Sequence, residues 1–162
     1  MFRLHCTRKL LIRLNQKPVD TTGDAASSAL GSWYATALFW RLQVALFVNE
    51  RTLLPVLIPL APAATLTTRF PAALAAVLRS HGWSGAQVEA EMQHMRECEI
   101  AKTANRSVVG MLNEFTFLAQ VWRDQHGALD LHDLSMRLAD VPCGPLRYDS
   151  PAQRVRALAY TG

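Results

Sequence analysis

"WYATALFWRLQVALFVNERTLLPVLIPL", residues 33–60, is the stretch on which the fold turns. It holds three apolar runs, "WYATALFW", "VALFV" and "TLLPVLIPL", parted only by "RLQ" and "NER". The runs are rich in β-branched and aromatic residues, and the polar breaks are too short for a crossover, so adjacent strands must run antiparallel. A three-strand meander is expected. Pro55 and Pro59, four residues apart, would turn their missing N–H groups to the same lateral side, which places the third strand at a sheet edge. Asn49 and Glu50 read as turn residues. Alternation puts Trp33, Ala35, Ala37 and Phe39 on one face and Tyr34, Thr36, Leu38 and Trp40 on the other, expected to be the wetter one. Aromatics there would suit base stacking or a second protein chain.

Upstream, "FRLHC" reads as a strand, and Thr7 can cap an amphipathic helix over "RKLLIRLNQ". "PVDTTGDAASSALGS" (18–32) is small and polar, a flexible loop within one domain spanning 1–162. Downstream, helices dominate. Pro71 suits the first turn of "FPAALAAVLRSHG", and Ser84 with Gln87 forms a capping-box pattern for "GAQVEAEMQHMREC". "EIAKT" (99–103) fits a short strand or a helix end. "RSVVGMLNEFTFLAQVWRDQ" carries a helical stripe through Val108, Met111, Leu112, Phe115, Leu118 and Trp122, closing near Gly127. Asp130 caps "LHDLSMRLADV", and "PCGPLRYDSPAQR" reads as irregular. The expected fold is α+β: a small antiparallel sheet, the meander plus the N-terminal strand, covered on one face by helices from the second half.

Composition narrows the function classes. A chain of 162 residues, half apolar, can bury a core and is not disordered. The longest uncharged run, 52–68, is interrupted by Pro55, Pro59 and Pro62, so no membrane segment is expected. Cys6, Cys98 and Cys143 are odd in number and far apart, which argues against a disulfide framework and for a cytoplasmic setting. Residues 1–20 carry Arg3, Arg8, Lys9, Arg13 and Lys17 against Asp20, which accounts for the whole net charge of +4. Such a cluster can attract phosphate or simply form a solvated face. The basic start without early acids has something of a mitochondrial presequence, but "FRLHCT" reads as part of a fold, and no secretory signal is expected.

The densest candidate site is "KTANRSVVGMLNEF" (102–115). On a helix, Arg106, Gly110 and Asn113 follow one line with Glu114 beside them, and Lys102 and Asn105 precede the first turn. Amide, guanidinium and ammonium groups near a helix start suit an anion, while Asn105 and Ser107 are equally good caps. Gly110, costly inside a helix, suggests a close approach by a backbone or ligand. A second group, His5, Cys6, Thr7 and Lys9, has the elements of a general base or an activated thiolate, against the plainer reading of a strand-end histidine and a buried cysteine. His94 and Cys98, four apart, offer at most two metal ligands, and no cofactor or metal is expected. No dinucleotide, P-loop or hydrolase-elbow motif is present.

"FRLHCTRKLL", "WYATALFW", "VALFVNERTLLPVLIPLAP", "KTANRSVVGMLNEF" and "LADVPCGPL" together resemble an uncharacterised bacterial domain family of unknown function. The resemblance implies a bacterial setting and makes residues 1–17 part of the fold; it assigns no role to any residue. Three functions are therefore expected as alternatives. One is a binding module for nucleic acid or another phosphate-bearing partner through Arg8, Lys9, Lys102, Asn105, Arg106 and Asn113. Another is a small hydrolase, such as a toxin-like ribonuclease, with His5 or Glu114 as base and Arg106 or Lys102 stabilising the developing charge. The last is a protein-interaction partner or homo-oligomer without a ligand, meeting a second chain through Tyr34 and Trp40.

Overall fold

The computed structural model describes residues 1–20 and 28–161. Its strands are β1 (Phe2–Cys6), β2 (Trp33–Leu38), β3 (Val44–Asn49), β4 (Pro55–Pro59) and β5 (Cys98–Lys102). Its helices are α1 (Arg8–Leu14), α2 (Leu66–Ser80), α3 (Gly85–Gln93), α4 (Arg106–His126), α5 (Leu131–Leu138) and α6 (Pro151–Thr161). The class is α+β, and β2, β3 and β4 pair antiparallel. The sheet as a whole corrects the expectation: it has five strands in the order β4-β3-β2-β1-β5 and is mixed, because β1 runs parallel to both β2 and β5. The cause is the connection. After β1 the chain passes through α1 before entering β2, and a crossover of that length returns it in the same direction. "EIAKT", open on pattern alone, falls largely in β5 and closes the far edge.

At the opposite edge, β4 shows how the prolines act. Pro55 and Pro59 have no N–H to leave unpaired, and the outward N–H of Leu57 between them donates to Ser135 Oγ of α5 at 2.9 Å. The edge is thus blunted without losing a hydrogen bond. Asn49 is fully buried and organises the β3–β4 turn: its amide donates to the carbonyls of Leu30 and Ser32, and its Oδ1 accepts from the Thr52 N–H and hydroxyl.

Both faces of the sheet are covered, which overturns the expectation of helices on one face and a wet second face. On one side Phe2, Leu4, Trp33 and Phe47 pack with Leu10 of α1, Phe70, Leu74 and Leu78 of α2, and Val155 of α6. Phe70 sits at the centre, stacked on Phe47 at 4.0 Å and edge-on to Trp33 at 4.9 Å. On the other side Tyr34, Leu38, Leu46 and Val48 meet Val108, Met111, Leu112 and Phe115 of α4 and Leu134 of α5. Strands buried on both faces read as near-continuous apolar runs, and β2, β3 and β4 do read so.

Helix boundaries also shift. Pro71 lies inside α2, not in its first turn. Burying Leu66 and Phe70 upstream, at about 1.5–3 kcal/mol each, offsets a proline cost of about 3 kcal/mol. α3 ends at Gln93, so His94 and Cys98 do not share a helix face. The expected irregular end contains α6, with Pro151 in its first turn and Ser150 and Gln153 exchanging capping-box hydrogen bonds of 3.2 and 2.7 Å. Of the expected loop at 18–32, the flanks are tied: the Val19 N–H donates to Ile100 O, and Arg51 donates to the carbonyls of Ser28 and Ala29. Residues 21–27 lie outside the described residues.

Candidate functional site at the carboxyl ends of β1 and β5

Parallel pairing of β1 with β5 puts Cys6 opposite Lys102, about 4.8 Å away across the ladder. From that level the chain leaves in two directions. Thr7, Arg8 and Lys9 start α1, which packs on the Trp33 face, while Thr103, Asn105 and Arg106 lead into α4, which packs on the Tyr34 face. A crevice between helices that depart to opposite faces, at the carboxyl ends of parallel strands, is where open α/β sheets characteristically bind ligands. Arg8, Lys9, Lys102 and Arg106 are all exposed around it. Among the described residues none of the four joins an ion pair; the pairs present are Arg3–Glu99 and Arg154–Asp149.

His5 lies at the inner wall, 8% exposed. Its ring stacks on Tyr34 with centroids 4.5 Å apart, and Nδ1 lies 2.7 Å from Lys102 O. A carbonyl can only accept, so Nδ1 carries the proton, and in the neutral ring Nε2 holds the lone pair. No described group bonds to Nε2. The Tyr34 hydroxyl in turn accepts the Asn105 N–H at 2.8 Å, and the Thr7 and Thr36 hydroxyls meet at 2.8 Å. Arg3, on the same face of β1, pairs with Glu99 at 2.9 Å. The result is a braced histidine whose accessory groups come from β1, β2, β5 and the start of α4.

The remaining candidates separate. Asn105 is the N-cap of α4, its Oδ1 accepting from the Ser107 and Val108 N–H groups. Alternation from Cys6 directs Lys102 to the face opposite His5, although its carbonyl holds the ring. Glu114 lies eight residues beyond Arg106, about 12 Å along the helix, too far to work with it directly. Asn113 is exposed one turn beyond Gly110, and a Cβ at Gly110 would meet nothing within 4 Å, so no packing contact explains that glycine. Cys6 is no activated thiolate: it is buried, burial pushes its pKa far up, and the thiol donates weakly to Leu4 O at 3.8 Å. Burial likewise raises Cys98 to about 12 and Cys143 to about 11.

Tyr34 is the site residue that sequence reasoning missed. It reads as an exposed aromatic, but it is 1% exposed, and the helix that covers it follows some seventy positions later. Together with the half-buried state of Trp40, this removes the expected open aromatic face. Among the described residues no cluster of His, Cys, Asp or Glu could hold a metal ion, and no helix is long and apolar enough to cross a membrane. No curated protein matches the chain. A family model does match, over residues 3–154, and it includes all of β1 but Phe2, β5, the starts of α1 and α4 and all of the braced histidine's partners. By that match the chain belongs to the family described as Domain of unknown function (DUF6933).

Proposed function

We propose that this chain is a single-domain binding module for a phosphate-bearing partner, with nucleic acid the first class to test, and that the partner sits across the carboxyl ends of β1 and β5. The observation that carries the reading is the pairing of Cys6 with Lys102. It brings two cationic segments, distant in sequence, to one crevice without an acidic partner among the described residues. Unpaired guanidinium and ammonium groups beside a helix start are suited to phosphate oxygens. The three free thiols suit a reducing compartment, and the proposed setting is a bacterial cytoplasm.

The test is binding of labelled single-stranded RNA and duplex DNA at low and moderate salt. Affinity should fall steeply with salt, and Lys102→Ala with Arg106→Ala should flatten the log–log slope by roughly 1–2, since each phosphate contact contributes about 0.7–0.9. No binding at low salt, or an unchanged slope in the double variant, would overturn the reading.

The braced His5 favours a second reading, a hydrolase in which Nε2 takes a proton from a nucleophilic hydroxyl or water. Shortened RNA in the same assay, lost in His5→Ala while binding persists, would support it. Intact RNA after prolonged incubation would leave the binding module alone.

A further inference from the structure

The β2–β3 turn and the loop between α4 and α5 enclose a separate concavity of about 610 Å³ that shares no residue with the site above. Its wall is mainly apolar, through Leu42, Val44, Pro59, Leu129, Leu131 and Leu134. Leu134 forms a buried floor, and Leu42, 84% exposed, stands at the rim. That volume is in the range of pockets that enclose small organic ligands, roughly 300–1,000 Å³.

Two cations also line this apolar space, Arg41 and Arg123. The Arg123 guanidinium lies over the Trp40 ring, 4.8 Å from its centroid, which orients it. Neither arginine has an acidic partner among the described residues. The neighbouring polar groups are engaged elsewhere: Gln43 Oε1 accepts from Arg13 of α1 at 2.9 Å, and Asp130 accepts the Asp133 N–H that starts α5. Arg123 is half-buried and Arg41 exposed at the mouth. A guanidinium half-buried beside an apolar wall is partly desolvated, and a carboxylate is the group that best restores its interactions, by paired N–H···O hydrogen bonds. We propose that this concavity binds a small amphipathic carboxylate, with the apolar body against the leucines and the headgroup taken by Arg41 and Arg123.

The probes are decanoate and its neutral counterpart decanol, both below their aggregation limits, followed by calorimetry and by tryptophan fluorescence, to which Trp40 contributes. Decanoate should bind saturably at one site, about tenfold or more tighter than decanol. The advantage should vanish in Arg41→Ala/Arg123→Ala while the thermal melt is unchanged. Ala128→Trp, which fills the space, should weaken both probes. Absence of saturable binding, equal affinity for the two probes, or a preference that survives in the double variant would each overturn the proposal. Binding to anionic vesicles but not to monomeric decanoate would also overturn it, by making the face a membrane contact. Because the variants leave Lys102 and Arg106 intact, the outcome is independent of nucleic-acid binding.

Discussion

His5 and His81 are both nearly closed to solvent, yet the groups around them hold the two rings differently. His5 has one ring nitrogen tied to a backbone carbonyl and its ring held on Tyr34, so its tautomer and orientation are set and the other nitrogen is available. His81 follows the last turn of α2 with both ring nitrogens buried and unpartnered. Burial, then the charge of Arg156, lowers its pKa from 6.5 to about 4, with His132 adding to the shift and Asp140 opposing it. Burial alone therefore does not orient a histidine. What distinguishes the two is whether the surroundings hold the ring or merely exclude water from it.

The largest effect that would break this comparison is pH-dependent. Folded His81 stays neutral to about pH 4, whereas unfolded it takes a proton near 6.5. The unfolded state thus binds more protons in between, and stability should be full above about 6.5 and fall as pH drops towards 4, by at most roughly 3 kcal/mol. Glu91 acts in the other sense. Burial raises its pKa, so its contribution is present at low pH and lost as pH rises through the raised value. Urea unfolding of the wild type, His81→Leu and Glu91→Gln across pH 4–7 separates them: the slope due to His81 should vanish in His81→Leu and persist in Glu91→Gln. A slope that survives His81→Leu would remove the contrast.

A smaller effect sharpens the description of His5. Tyr34→Phe keeps the ring stack but takes away the acceptor of the Asn105 N–H, and should cost about 1–2 kcal/mol in urea unfolding. It should also loosen the start of α4, seen as faster amide exchange at Asn105. Full stability in the variant would mean that the brace does not matter. The smallest change is at Gly110. With open space around its would-be Cβ, Gly110→Ala should stabilise the chain by up to about 1 kcal/mol. If the same variant weakens nucleic-acid binding, the glycine serves the partner's approach; unchanged affinity limits the site to the crevice.

Legibility in the sequence followed the range of the interactions. The antiparallel pairing of β2, β3 and β4, the edge position of β4, the Ser84 capping box, the Asn105 start of α4 and the Asp130 cap of α5 rest on spacings of a few residues, and each is where local pattern puts it. α6 is equally local in origin, since Ser150 and Gln153 repeat the spacing of Ser84 and Gln87, and the expectation of an irregular end overlooks that capping pair. Pro71 misled in the opposite way: a local preference for the first turn yielded to the apolar residues that α2 buries upstream.

What the sequence determined by itself was the α+β class, the three antiparallel strands and the cationic N-terminus. Whether the strand at residues 2–6 would pair parallel, and with which neighbours, depended on hydrogen bonds between segments nearly a hundred residues apart, such as His5 to Lys102. That pairing brings Arg8 and Lys9 to the end of the sheet shared by Lys102 and Arg106, sends α1 and α4 to opposite faces, and buries Tyr34 beneath a helix. Long-range pairing is chosen by the sum of burial over both faces of the sheet, and no short window of residues contains that sum.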